Sequence, residues 1–235
     1  MIVDTRQKIS IGYPHCGLVR AEFLNAIVRM NVWEFSRFQN NRKYVIDSFT
    51  SAGSVYVSKN RNDLVRDFLK TNADWQLQLD TDVEFKPDLL KRLMDVADEE
   101  HKIVSGLYIS YRKENPDADL ILVPVLYHNA EDGKYTNINE IPPNSVIEVA
   151  MAGAGCLMVH RSVYEAMAEA YKDDPWTWYG HEPSQDKKEM LGEDVTFCKR
   201  ATQLGFKIWA DTGILLRHYK TVPLTIDEWW KELPQ

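Results

Sequence analysis

The chain has 235 residues, a formal charge of −7 and 44% hydrophobic residues, enough for one α/β domain with a real core. The acidic balance gives no overall steering toward nucleic acid. The start, Met1-Ile2-Val3-Asp4-Thr5-Arg6, lacks the apolar core of a secretory signal, and no run approaches the length of a membrane span, so a soluble, cytoplasmic protein is expected. The three cysteines, Cys16, Cys156 and Cys198, are widely spaced and form no CxxC, which points to reduced thiols serving as small buried hydrophobes.

In chain order, Ile9, Ile11 and Tyr13 alternate toward Pro14 and read as a first strand feeding a loop. From Leu18, the spacing of Val19, Phe23, Ala26, Ile27 and Met30 marks a helix face, and Tyr44-Val45-Ile46-Asp47 follows as a second strand. This β-α-β order predicts a parallel sheet in which Pro14 shares an edge with the tip of the third strand. Ser54-Val55-Tyr56-Val57 reads as a short strand. Arg61-Asn62-Asp63 then precedes Leu64, Val65, Phe68 and Leu69 at helical spacing, so Arg61 is expected near a helix start, as a nucleotide contact or an ordinary exposed arginine.

The stretch Trp75-Gln76-Leu77-Gln78-Leu79-Asp80-Thr81-Asp82 is an alternating apolar run ending in two carboxylates. Ligands gather at the carboxyl ends of strands in α/β sheets, and two carboxylates there suit a divalent cation that also bridges phosphates. Asp-x-Asp triplets also arise by chance. A second, Asp117-Ala118-Asp119, follows Asn115-Pro116 with no strand before it and reads as a solvated loop.

Pro87 and Asp88 open a helix carrying Leu89, Leu90, Leu93, Met94 and Ala97, and residues 102–108 read as a strand. Residues 112–134 form an irregular excursion with one apolar run at 120–127. Two strands, at 146–151 and 156–159, flank Ala152-Gly153-Ala154-Gly155, a bend where backbone can approach a ligand; a bulge or turn explains the glycines equally well. Residues 162–171 read as a helix capped by Ser162. The aperiodic segment 173–188 carries Trp176, Trp178 and His181; their aromatic faces suit sugar rings, and the segment is expected to order as a lid over a bound sugar donor, with a packed surface loop as the competing reading.

Gly192-Glu193-Asp194 opens a helix with Val195, Cys198, Ala201 and Leu204 on one face and Gly205 closing it; acids there also simply complement the helix dipole. Residues 206–210 are strand-like, and Ile214-Leu215-Leu216-Arg217-His218 is an apolar run delivering a histidine.

Taken together, the strand ending in Asp80-Thr81-Asp82, the segment Gly192-Glu193-Asp194-Val195-Thr196-Phe197-Cys198-Lys199-Arg200-Ala201 and the late His218 resemble the GT-A fold glycosyltransferases, especially small family 2-like ones of bacterial or bacteriophage type, over residues 8–220. Arg61-Asn62 before a helix also matches those members. The resemblance implies a single domain with a mixed, mostly parallel sheet. Its nucleotide-binding half would span about 8–110 and its acceptor-binding half about 111–220, leaving a tail at 221–235.

The resemblance further implies that Asp82 and His218 ligate a divalent cation, Mn²⁺ first and Mg²⁺ next, with Asp80 on the ribose or a metal water. Tyr13, Pro14, Asp47 and Arg61 would surround the nucleotide of a UDP- or GDP-sugar. Asp194 matches the family's base and Glu193 would orient the acceptor, which could be a saccharide, a protein side chain or a modified nucleobase. The Gln-x-x-Arg-Trp motif of processive synthases is absent, so a single, inverting transfer is expected. Two rivals are a nucleotidyltransferase, whose glycine-rich basic loop after the first strand is missing from Ile11-Gly12-Tyr13-Pro14-His15-Cys16-Gly17, and a catalytically silent nucleotide-sugar-binding module.

Overall fold

The computed structural model describes residues 5–37, 43–112, 120–129, 135–184, 187–188 and 190–221. The Asp117-Ala118-Asp119 triplet and the tail beyond residue 221 lie outside them. In chain order the elements are β1 (Gln7–His15), α1 (Ala21–Ser36), β2 (Tyr44–Gly53), α2 (Val57–Leu69), β3 (Trp75–Leu79), β4 (Val83–Glu84) and α3 (Leu89–Val96). They continue with β5 (Ile103–Leu107), β6 (Ile109–Arg112), β7 (Ile121–Pro124), β8 (Leu126–Asn129), β9 (Tyr135–Asn137), β10 (Val146–Val149), β11 (Met151–Ala152) and β12 (Cys156–His160). The last are α4 (Arg161–Ala170), α5 (Glu193–Gln203), β13 (Ile208–Leu215) and β14 (Arg217–His218).

A seven-stranded sheet in the order β10-β13-β5-β12-β3-β1-β2 forms the centre. β1 runs parallel to β2 and β3, and β13 parallel to β5; β12 opposes both of its neighbours, and β10 opposes β13. The sheet is therefore mostly parallel, as helical crossovers after β1, β2 and β3 require. One face packs Phe23, Ala26 and Met30 of α1 and Leu90 and Leu93 of α3 against Ile9, Ile11, Leu77 and Leu79. The other packs Val65 and Phe68 of α2, Val163 of α4 and Phe197 of α5 against Leu157 and Val159. Among the described residues no helix is long and apolar enough to cross a membrane.

Several boundaries differ from the sequence reading. Residues 54–57 are not a strand: β2 itself runs on to Gly53, and α2 begins at Val57 with no side-chain cap at Tyr56. Alternating Val and Tyr residues favour a strand, but the inward face of Leu64, Val65 and Phe68 extends the helix back by tertiary packing. Ser162 does not cap α4; it donates its backbone N–H to Nδ1 of His160, the residue at the cap position. α1 starts at Ala21, after Leu18 and Val19. The excursion after residue 112 contains β7, which pairs antiparallel with β6. Cys156 and Cys198 are buried free thiols, pushed up to about 12 by burial, whereas Cys16 is exposed on the loop after β1.

Candidate functional site

The parallel register places Gly12 beside Gln78, so Tyr13 and Pro14 at the end of β1 stand level with Leu79 and Asp80 at the end of β3. β3 is buried on both faces, including Gln76 and Gln78, which the alternating pattern alone would leave facing water. Gln76 Nε2 donates to the carbonyl of Leu64 at 2.8 Å, and Gln78 Nε2 donates to Gln76 Oε1 at 3.0 Å. A chain of buried amides thus leads up the strand to the carboxylates at its end.

Three consecutive residues of α2 brace three walls of this site. Asn60 Nδ2 donates to the carbonyls of His15 and Ser54, tying the ends of β1 and β2 together. Asn62 Nδ2 donates to Tyr179 O at 2.8 Å, while its Oδ1 accepts from the backbone N–H of Trp178 and Tyr179. Between them Arg61 is 3% exposed. Its NH2 meets Asp80 Oδ1 at 2.6 Å, its NH1 donates to Gln78 Oε1 and Ala154 O, and its Nε makes a long contact of 3.4 Å with Glu193 Oε1. Burial opposes the arginine's charge, but Asp80 and Glu193 overcome that and hold it firmly protonated.

Arg61 is therefore not the helix-start side chain expected from spacing. Because α2 starts four residues earlier, Arg61 falls on the same face as Leu64, Val65 and Phe68, one and two turns away, and points inward. Its guanidinium is fully engaged by protein groups and positions Asp80.

Asp82 meets His218 through local strand pairing. β4 and β14 form an antiparallel ribbon in which Val83 opposes His218 and Glu84 opposes Arg217. Glu84 anchors the ribbon by accepting from Arg29, Arg217 and Tyr219. His218 Nδ1 donates to Ile109 O at 2.9 Å, which leaves the buried Nε2 facing Asp82 Oδ2 at 3.3 Å with no hydrogen-bond partner among the described residues. Lys220 Nζ donates to the same Oδ2 at 2.8 Å. Burial pushes the Asp82 carboxyl up, but His218 and Lys220 outweigh it and hold it at about 2.

Among the described residues no group of three or more His, Cys, Asp and Glu side chains gathers to hold a metal ion, so the expected trio of Asp80, Asp82 and His218 does not come together. Arg61 draws the Asp80 carboxylate to itself, and Asp82 and His218 form a pair. That pair does fit a small cation. A buried imidazole nitrogen with no hydrogen-bond partner among the described residues, oriented by a backbone carbonyl on its other nitrogen, faces a carboxylate oxygen at about the separation of two ligands of one ion.

Asp194 and Glu193 stand in the first turn of α5, after Gly192. Asp194 Oδ1 accepts from the backbone N–H of Val195 at 2.8 Å. Burial first, then the charge of Glu193, push the Asp194 carboxyl up to about 6, with Arg61 opposing. Tyr108, which carried no sequence signal, and Gly155, from the small-residue bend expected to approach a ligand, complete the region. Tyr108 is 6% exposed, its hydroxyl accepts from the N–H of Gly155 at 3.1 Å, and its ring meets that of His218 edge-on with centroids 5.1 Å apart. Gly155 donates no side chain where one would collide: a Cβ there would lie 3.0 Å from Asp80 Oδ2 and 2.9 Å from the Tyr108 hydroxyl.

The remaining expected residues are placed less uniformly. Tyr13 packs edge-on against Phe23, with centroids 5.4 Å apart, and Pro14 is buried beside it. Asp47 is exposed at the register shift between β1 and β2, level with Ile9 and Ser10, four residues short of the strand end that Tyr13 and Pro14 occupy. At about 3.3 Å per residue it stands roughly 13 Å away and is not part of this group.

Trp178 is also corrected. It is 6% exposed, its indole N–H donates to Tyr164 O at 2.9 Å, and it packs in the core instead of covering a ligand. Trp176 is 40% exposed, and exposed His181 accepts from the Ser58 hydroxyl at 2.7 Å and donates to Leu191 O at 3.2 Å. Arg200 of α5 holds this segment through the carbonyls of Trp176 and Thr177, Asp174 and Glu182. The described part is thus a braced wall.

No protein-family model matches the chain. No curated protein sequence matches it either. Solved structures do. The chain superposes on the crystal structure of A197 from STIV with a TM-score of 0.55 and 19% identity, over 92% of this chain and 87% of that one. It superposes on GalNAc-T7, solved with UDP, GalNAc and Mn²⁺, with a TM-score of 0.57 and 10% identity, over 93% of this chain and 45% of that one. These likenesses show a GT-A-like fold.

Proposed function

We propose that this chain is a divalent-cation-dependent, family 2-like glycosyltransferase that moves a sugar from a nucleoside diphosphate sugar to an acceptor hydroxyl. The observation that carries the reading is the pairing of Asp82 with a His218 Nε2 that has no other partner among the described residues, beside the end of β3 on a GT-A-like fold. The Mn²⁺ and UDP in GalNAc-T7 support the choice of a cation and a nucleotide donor. The donor types expected first are a UDP- or GDP-sugar.

In this reading Asp82 and His218 hold the cation, Mn²⁺ in preference to Mg²⁺. When bound it supplies Lewis-acid stabilisation of the charge that develops on the leaving diphosphate. Asp80, fixed by Arg61, faces the ribose or a water, and Tyr13 and Pro14 border the nucleoside. Asp194 takes the acceptor's proton: among the described residues its carboxyl carries no ion pair with a cationic side chain in the way Asp80 and Glu193 do, and its value of about 6 keeps it ionised at neutral pH yet basic enough to accept. Attack opposite the leaving group inverts the anomeric centre. Glu193 acts through Arg61 and the mouth of the acceptor site, which exposed Trp176 and His181 border. The acceptor is a saccharide, a protein side chain or a modified nucleobase, and the transfer is a single one in the cytoplasm.

The test is release of nucleoside diphosphate from a panel of UDP-, GDP-, CDP- and dTDP-sugars in Mn²⁺, with thermal melting in parallel. One donor should raise the melting temperature and be turned over, and EDTA should stop both. Stabilisation with no release in the presence of candidate acceptors would favour a silent binding module. Absence of both would overturn the reading.

A further inference from the structure

Among the described residues Asp82 Oδ2 has two nitrogen neighbours, His218 Nε2 at 3.3 Å and Lys220 Nζ at 2.8 Å. The lysine stands where an incoming cation would have to share that oxygen, and two positive charges within a few ångströms of one carboxylate oppose each other. We propose that Lys220 is a tethered counter-ion that competes with the divalent cation for Asp82 and, once displaced, binds the phosphate of the arriving nucleotide. The inference rests on the reading that Asp82 and His218 hold a cation.

The local architecture allows the exchange. Tyr219 fixes the backbone, its N–H donating to Asp82 O at 2.8 Å, its hydroxyl to Glu84 Oε2 at 2.7 Å, and the Arg20 guanidinium lying 5.5 Å from its ring centre. The Lys220 side chain is 38% exposed, so its four-carbon stem turns without disturbing the ribbon, whereas His218 beside it is 7% exposed and fixed by Ile109 O. One neighbour of the carboxylate is thus rigid and the other mobile within its reach. Lys220 satisfies the Asp82 charge before a ligand arrives. The phosphate that accompanies the cation then gives the displaced ammonium a new partner, so cation and nucleotide bind with positive coupling.

The experiment titrates Mn²⁺ alone, by the loss of its free-ion resonance signal, into the wild-type chain, Lys220→Ala and Asp82→Ala. UDP and GDP are then titrated into each protein in saturating Mn²⁺. Removing a partly exposed competing ion pair should tighten Mn²⁺ binding by Lys220→Ala roughly two- to fivefold, while its nucleotide affinity in Mn²⁺ falls. Unchanged or weaker Mn²⁺ binding by Lys220→Ala would overturn the role of Lys220. Undiminished Mn²⁺ binding by Asp82→Ala would overturn the cation site itself, so the two failures are told apart. Melting curves of both variants confirm that each remains folded.

Discussion

Arg61 and Asp80 form an ion pair of 2.6 Å in which the arginine is almost wholly buried and the aspartate is 26% exposed, and the same guanidinium touches Glu193 of α5. The end of β3 and the start of α5 are therefore held by one side chain. Arg61→Met would leave both carboxylates facing a buried apolar group. Removing one partner of a buried pair costs about 3–5 kcal/mol, and the partial exposure of Asp80 places the expected loss near the lower end. Urea unfolding measures it; a loss below about 1 kcal/mol would make the bridge incidental.

Asp194→Asn tests the proposed base. It keeps size and hydrogen bonding but cannot take a proton, so transfer should fall about a hundred- to ten-thousandfold with donor affinity kept within a few-fold. The wild-type rate should rise with pH through about 6, as the carboxyl ionises. Stability runs the other way. The folded value lies above the unfolded one of about 4, so between them the native state holds more protons and loses stability as pH rises through about 6. Asn lacks this penalty, and its stability relative to wild type should improve by on the order of 1–2 kcal/mol between pH 4 and pH 8. A pH-independent difference with turnover intact would leave Asp194 as a helix-dipole partner only.

Much of this arrangement is legible in the sequence where one period and one chemistry coincide. Trp75, Leu77 and Leu79 mark the strand, Asp80 and Asp82 end it, and Ile214-Leu215-Leu216 delivers His218. Asp82 and His218 meet through a two-residue ribbon too short to show a pattern. Arg61 was recoverable in principle, since it precedes Leu64 and Val65 by three and four residues, but the strand-like Val55-Tyr56-Val57 hides the helix start. Trp178 illustrates a different limit: an aperiodic aromatic segment has the same composition whether its rings face a ligand or the core, and only Tyr164 and Asn62 decide. Tyr108 and Lys220 belong to no motif and act through neighbours distant in the chain.

The braced wall makes its own prediction. The backbone N–H groups of Trp178 and Tyr179 both donate to Asn62 Oδ1, at 3.2 and 3.4 Å. Hydrogen exchange at these two amides should be slow without donor. Asn62→Ala leaves them unpaired at a cost of about 1–3 kcal/mol and should speed their exchange. Fast exchange in the free wild-type protein that slows only with donor and Mn²⁺ would restore the expected lid.

Gly155→Ala probes the closeness of the backbone to Asp80. The new methyl would press on the Tyr108 hydroxyl at 2.9 Å and on Asp80 Oδ2 at 3.0 Å. A lowered melting temperature and weakened donor binding are expected together. A variant as stable as wild type with unchanged donor affinity would show that the two side chains give way freely.

The most direct measurement of the central claim is calorimetric titration of UDP and GDP in Mn²⁺ and in EDTA, for wild type, Asp82→Ala and His218→Ala. If the Asp82–His218 pair holds the cation that a nucleotide needs, one nucleotide should bind wild type only in Mn²⁺, and both substitutions should abolish or greatly weaken that binding. Binding that survives EDTA, or affinity unchanged in both variants, would contradict the account.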